Sequence, residues 1–286
     1  NGQLDGLQKE WYEDGQKLSE FSYKNDKLNG SSISWYENGN KEKEYNYLEG
    51  KLDGLQKEWY EDGQMSSKLS YKNDDLNGMS TSWYENGNKE EEGTHIGGVL
   101  DGLISMWYED GKKSIEGTFI LGKENGLFTR WYKNGLIKDE VTYENGVRLE
   151  ESNYSLHQNG NYKLKERLKN GKLSGPQIEW YENGKKNKES NFLEGKLDGI
   201  QYEWYEDGQM SSEFSYKNDK LDGRSISWYE NGNKKEEYIY LDGELNGLQS
   251  RWYKNGQKLG EGTFTIGREN GLFTHWFESG LIKNKI

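Results

Sequence analysis

The sequence holds no cysteine, no alanine and a single proline in 286 residues. The missing cysteine excludes disulfides, thiolate metal sites and a cysteine nucleophile. Without alanine, and with no stretch of apolar residues at helical spacing, nothing supports a helix of useful length. No run approaches the ~18 apolar residues of a membrane-spanning helix. Leu, Ile, Val and Phe are scarce too, at 52 residues together. That share lies below the ~20% at which a chain with many charges reads as disordered. Charged residues make up 31% of the chain. Two abundances contradict the disordered reading. Aromatic residues reach 14%, with 11 Trp and 21 Tyr, and there are 37 Gly. Disordered segments are poor in aromatics, so an ordered fold must be using these.

Charge excludes further classes. The net charge is −12, from 50 acidic and 38 basic residues, and the two signs are mixed along the chain. A nucleic-acid binder needs a basic stripe, which is absent. Docking on anionic lipid by simple electrostatics is disfavoured for the same reason. The sequence begins at Asn1 rather than Met, which reads as a mature or trimmed form.

Internal repetition organises what is present. All the tryptophans open a Trp-Tyr or Trp-Phe pair: Trp11, Trp35, Trp59, Trp83, Trp107 and Trp131, then Trp180, Trp204, Trp228, Trp252 and Trp276. The step is 24 residues within each set. Between Trp131 and Trp180 it is 49, two periods plus one inserted residue. Three glycine series keep the same clock. One follows the Trp pair (Gly15, Gly39, Gly63), one precedes it (Gly6, Gly30, Gly54), and the third carries Asp at positions 26, 74 and 219. Together they account for 32 of the 37 glycines. Gly, Asn and Asp tolerate positive φ, so each series reads as a turn or a tight bend. A longer offset of 145 residues relates Gly117–Trp131 to Gly262–Trp276. The history is duplication of a two-repeat unit, then of a larger block, with the seam at a degenerate seventh repeat.

Within one repeat the pattern alternates with period two, as strands do. Leu7, Lys9 and Trp11 alternate with Gln8, Glu10 and Tyr12, before the hairpin-turn signature Glu13-Asp14-Gly15. The return segment places Lys17, Ser19, Phe21 and Tyr23 on one face, and Lys24-Asn25-Asp26 is the next turn. The predicted fold is all-β: an elongated, single-layer antiparallel β-sheet solenoid of about twelve 24-residue β-hairpin repeats, twisted or superhelical. About 24 strands at ~4.8 Å each would run on the order of 110 Å. One repeat domain is expected over 1–286. Repeats one to six lie at 1–145, the degenerate seventh at about 146–170, and repeats eight to twelve at 171–286.

The unit quoted by Leu52-Asp53-Gly54, Trp59-Tyr60-Glu61-Asp62-Gly63 and Tyr71-Lys72-Asn73-Asp74 resembles the MORN-variant repeat of bacteria. The resemblance covers essentially the whole chain and departs from the pattern in the seventh repeat. It implies tandem β-hairpins, a scaffold for protein–protein interaction or membrane-associated assembly, and no catalytic residues. It favours a secreted or cell-surface bacterial protein in host interaction over a cytoplasmic one. Many family members carry an antitoxin-like label, which adds an immunity role beside an adjacent toxin as an alternative. Choline-binding cell-wall repeats share a Trp-Tyr flavour, but they are nearer 20 residues and place Gly-Trp ahead of a Trp-Tyr-Tyr run, which is absent here.

Chemistry-bearing candidates are few. His95, His157 and His275 lie far apart at unlike positions and read as scattered structural histidines. Asn218–Gly223 is acidic, but Lys220 occupies the third position of a calcium loop, where an oxygen ligand is needed. Asn29-Gly30-Ser31 fits a glycosylation acceptor, although Asn29-Gly30 already belongs to the repeat. A glycosidase needs two singular carboxylates, and repeated ones such as Glu13, Glu37 and Glu61 are simplest as turn residues. The sequence predicts no enzyme, no cofactor and no metal. The Trp series reads as structural. The tyrosines after it (Tyr12, Tyr36, Tyr60, Tyr84, Tyr108, Tyr132, Tyr181, Tyr205, Tyr229 and Tyr253) point the other way and are the candidate ligand-facing row. They would bind an extended peptide, or a glycan in the alternative of a carbohydrate-binding module. The expected partner is a protein. An open sheet edge at each end also predicts homodimers or end-to-end assembly.

Overall fold

The computed structural model describes residues 2–286. Among them there is no helix, and every strand pairing is antiparallel. The chain packs as two compact units, one ending at Leu149 and the other starting at Glu150. Within each unit, consecutive strands pair as a meander, and the 24-residue period is the structural period. The division falls at the seam of the duplication.

One repeat shows how sequence becomes structure. Strand Gly54–Trp59 runs antiparallel to Met65–Lys72, with Leu55 opposite Ser70 and Lys57 opposite Lys68. The turn between them is closed by two backbone bonds: Tyr60 N–H donates to Gln64 O at 2.8 Å, and Gly63 N–H to Tyr60 O at 2.9 Å. Gly63 sits at φ 90°, which closes a three-residue loop of the bulged type. The register slips by one residue between Glu58 and Trp59, and the same slip recurs at Met106/Trp107 and Ser227/Trp228. This bulge pairs each Trp one residue off from the simple alternation and sharpens the local twist.

The second turn is of type I′, with both central residues at positive φ: Asn73 at 53° and Asp74 at 74°. Where the third series has Asp in place of Gly, the carboxylate is used. Asp26, Asp74 and Asp219 accept the backbone N–H of Leu4, Leu52 and Leu197 at 2.7, 2.7 and 2.8 Å. The Asp–Gly alternation is therefore an extra tie to the preceding repeat as well as tolerance of positive φ.

The second glycine series marks a break in the ladder. Gly54 has φ 100°, and on this side the register with strand Gly54–Trp59 stops at Glu44/Lys57, so Asn46 O takes Asp53 N–H at 3.0 Å while Asn46 N–H has no backbone partner there. The buried side chain of Gln56 repairs the gap. Its Oε1 accepts Asn46 N–H at 2.7 Å, and its Nε2 donates to Asn46 O at 3.0 Å. A buried amide is tolerated because it replaces a missing backbone partner.

The core is correspondingly unusual. Among the described residues, the buried aliphatics are Ile104, Val141 and Ile226. The other buried side chains are mostly Ser, Thr and Gln on the strand centres, such as Ser19, Gln56, Thr81 and Ser225. Stacking small polar side chains from strand to strand leaves little volume to fill, so few aliphatics are needed. Trp rings lie at the periphery, half-buried, and Trp11 is exposed.

Candidate functional site

The tyrosine row is built by the turn that follows each Trp. That turn aims each phenol at the next repeat, where its hydroxyl donates to a Trp backbone carbonyl 23 residues on. Tyr12 donates to Trp35 O at 2.7 Å, Tyr36 to Trp59 O at 2.8 Å and Tyr60 to Trp83 O at 2.5 Å. Tyr84 and Tyr108 do the same to Trp107 and Trp131 in the first unit. In the second unit the donors are Tyr181, Tyr205, Tyr229 and Tyr253, and the acceptors belong to Trp204, Trp228, Trp252 and Trp276. Tyr132 occupies the same place in its repeat. His157, which stands where a Tyr would in the degenerate repeat, sets its Nε2 2.8 Å from Trp180 O. A histidine that looked stray is thus a member of the row. Burial first, and neighbouring glutamates second, push the phenols of Tyr36, Tyr60, Tyr181 and Tyr205 up from their ordinary pKa. These hydroxyls are committed to bracing adjacent repeats. A ligand role for the row would rest on the half-exposed ring faces.

The brace predicts a measurable effect. Tyr60→Phe keeps the ring but strips Trp83 O of its donor, which should cost about 1 kcal/mol. Urea unfolding of Tyr60→Phe and of Tyr181→Phe should show similar losses. A midpoint unchanged from the parent in both would show that the bond contributes nothing net.

The tryptophans carry the chain's own lysines. The ammonium groups of Lys17, Lys41 and Lys89 lie 5.3, 5.5 and 5.6 Å from the ring centres of Trp35, Trp59 and Trp107. Lys186, Lys234 and Lys258 repeat the contact on Trp204, Trp252 and Trp276. Each Lys also pairs with a Glu three residues on, as Lys41 Nζ does with Glu44 Oε2 at 2.6 Å. The Lys41 bond holds the Glu44 carboxyl below its ordinary pKa. These cation–π stacks link one repeat to the next.

What the repeats leave free is a row of aliphatic side chains just after the second-series glycines. Met79, Leu103 and Leu127 are 58%, 54% and 55% exposed on three successive repeats of the first unit. Thr94, Thr118 and Thr142 stand directly across from them. In the second unit Ile200, Leu248 and Leu272 hold the same position and are also exposed.

The remaining sequence candidates fall into the framework. Asn218 and Asp219 are central residues of a type I′ turn, and Lys220 pairs with Asp242 at 2.8 Å. Asn29 Oδ1 accepts the N–H of Glu49 at 3.2 Å, as a repeat tie. His95 Nδ1 lies 3.2 Å from Ser80 Oγ. Among the described residues, no three His, Cys, Asp or Glu gather as metal ligands.

Comparison with known proteins gives the family. The MORN repeat variant model matches nine times: 4–25, 28–49, 52–73, 76–96, 124–145, 173–194, 197–218, 221–242 and 245–265. The chain belongs to the MORN repeat variant family. No curated protein matches it. Two solved structures are similar at 9% identity: a crystal structure of TcdB2-TccC3-Cdc42 and a Photorhabdus luminescens Tc holotoxin pore carrying a TccC3 mutation. They match over 94% and 95% of this chain but only 19% and 16% of theirs, with TM-scores of 0.25 and 0.21. This chain thus spans less than a fifth of the length of either.

The MORN-variant matches omit 97–123 as well as the seventh repeat and the last residues. The pattern therefore departs in more places than the seventh repeat alone. The stretch 97–123 is where Gly117 stands at an inward position. Sequence reasoning counted the glycines in register and passed over those out of it: Gly93, Gly97, Gly117, Gly260 and Gly262. Those at 93, 117 and 262 make room in the core. A Cβ there would stand 2.8 Å from Ile104 Cδ1, 2.2 Å from Phe128 Cδ1 and 2.1 Å from Phe273 Cδ1. The aliphatic row, too, was legible only as a recurring Leu or Ile after Gly, with no signal that it faces solvent.

Proposed function

We propose that this MORN-variant chain is a non-catalytic scaffold that binds a protein partner along its aliphatic row, in a secreted or cell-surface setting. The observation that supports it most is the run of Met79, Leu103 and Leu127 on successive repeats. Repeat-to-repeat contacts take up the hydroxyls of the tyrosine row, turn Asn amides such as that of Asn40, and Lys ammonium groups such as that of Lys41. Asn38 Nδ2, for example, donates to Glu61 O at 2.7 Å. Large apolar side chains held in solvent at regular intervals have no such internal use. An apolar stripe flanked by threonines fits a protein surface with matching apolar anchors.

The test compares capture by the intact chain with capture by Met79→Glu/Leu103→Glu/Leu127→Glu, the same fold being verified by circular dichroism. A partner bound by the parent and reduced at least tenfold in the variant supports the reading. Equal capture by both, or reproducible substrate turnover lost in a single Glu→Gln variant, overturns it.

A further inference from the structure

The aliphatic row of the first unit is part of a broader apolar face. A second column stands two residues further along the same strands, where extended backbone returns each side chain to the same face. Ile96 lies two residues beyond Thr94 and Ile120 two beyond Thr118, and they are 54% and 47% exposed. Val99, directly across from Ile96, is 43% exposed. With Met79, Leu103 and Leu127 these side chains hold about 600 Å² of apolar surface in solvent, at the top of the ~300–600 Å² of the largest patch on a typical monomer. The charges beside them are balanced, since Lys89 pairs with Glu92 and Lys113 with Glu116.

The second unit has the same frame and a different face. One duplication step of 145 residues on, the equivalent positions hold Arg224, Leu241, Glu244, Leu248, Thr265 and Leu272. Polar residues thus replace Met79, Val99 and Ile120, and Arg224 is paired with Glu237 at 2.6 Å. The hairpin frame therefore does not demand an apolar side chain at 79, 99 or 120. Burial does not explain the apolar set either, because all three stand in solvent.

The relief of the row indicates what fits it. Across successive strands it reads Met79, Thr94, Leu103, Thr118, Leu127 and Thr142. Large and small side chains take turns at ~4.8 Å per strand. A surface of the same pitch, with its large side chains one strand out of step, fills the gaps. A second copy turned end for end presents that surface. We infer that the first unit's aliphatic face docks a second copy of this chain, face to face about a two-fold axis lying along the strands between Leu103 and Thr118. The axis sets Leu103 over Thr118 of the partner subunit, Met79 over the partner's Thr142 and Leu127 over the partner's Thr94, and each contact occurs twice. The aliphatic side chains alone then withdraw about 1,200 Å² from water over both copies, which reaches the ~1,200–2,000 Å² of a specific interface before the threonines are counted. The contact uses a face of the sheet and leaves its open edges free. It rests on the row being a docking surface, as proposed above, and names the occupant.

Sedimentation of the full chain tests this occupant. A monomer–dimer equilibrium is expected, with a dissociation constant below about 100 µM. Met79→Arg/Val99→Glu/Ile120→Thr installs the residues that the second unit carries at 224, 244 and 265, with Glu92 standing where Glu237 receives Arg224. It should therefore fold, and it should weaken the dimer at least tenfold. Leu248→Ser/Leu272→Ser gives the second unit the residue that another repeat carries at Ser31, and should leave the dimer unchanged. A parent that stays monomeric, a dimer unchanged in the triple variant, or a dimer weakened as much by the second-unit variant would each overturn the second copy as occupant. A monomeric parent that still captures another protein through Met79, Leu103 and Leu127 overturns the second copy alone. A monomeric parent whose capture survives Met79→Glu/Leu103→Glu/Leu127→Glu overturns the docking row as well.

Discussion

Gly117→Phe is expected to destabilise the first unit by at least about 3 kcal/mol, and Phe128→Ser added to it is expected to recover most of that loss. The backbone at Gly117 is ordinary, since it is absent from the positive-φ positions, so the cost is overlap alone. A Cβ there would stand 2.2 Å from the Phe128 ring. That ring cannot swing away freely, because it packs edge-to-face on Phe119 and on Tyr143, each at 5.3 Å. Phe128→Ser alone removes both contacts and opens a void, at a cost of about 3 kcal/mol for a half-buried ring. The double variant recreates the arrangement already present at Phe21 beside Ser32 and at Phe214 beside Ser225. Large-with-small recurs at this pair of positions, with the large side first at Phe21/Ser32 and Phe214/Ser225 and second at Gly93/Ile104 and Gly262/Phe273. Urea unfolding of the four proteins should give a compensating coupling of at least about 2 kcal/mol. Gly262 and Phe273 offer an independent copy of the test. Strictly additive losses would show that the two positions do not share one volume.

Leu121→Asn and Ile266→Asn should each stabilise the chain, by about 1 kcal/mol, and the pair by about 2. Both residues sit first in a type I′ turn, with φ of 50° and 49°. The left-handed region costs an ordinary L-residue roughly 1–2 kcal/mol, and it is worst for a β-branched side chain such as Ile266. Elsewhere the same position holds Asn25, Glu49, Asn73, Asn145, Asn170, Glu194, Asn218 or Asp242. Neither apolar side chain gains burial in return, being 70% and 64% exposed. The two sites share no partner and belong to different units, so their gains should add. Thermal unfolding of the two single variants and the double variant checks this. A fall in Tm for either would mean that the apolar tip makes a contact worth more than the strain.

Both predictions concern departures from the repeat, where sequence reading was weakest. A repeat count finds what recurs. It registers Gly117 and Gly262 only as glycines off the clock, and Leu121 and Ile266 only as unusual turn residues. Their meaning depends on what stands beside them on the neighbouring strand. Gln249 has the same character. Gln249 looks like Gln56 and Gln201 in sequence, and only the unmet Oε1 sets it apart.

The sequence by itself determined the period, the hairpin turns, the absence of helix and the seam, because φ preference and side-chain alternation are local properties. Gly63 and Asn73-Asp74 specify their turns whatever lies nearby. Only the tertiary structure decided what the aromatic rows do. Tyr60 ends on the Trp83 carbonyl, and Lys41 on the Trp59 ring, because the turn after each Trp carries these side chains toward the next repeat. The tertiary structure likewise decided that a core with few aliphatics suffices. Small buried Ser, Thr and Gln leave little space between strands, so that few aliphatics are buried and others, such as Met79, Leu103 and Leu127, stand in solvent.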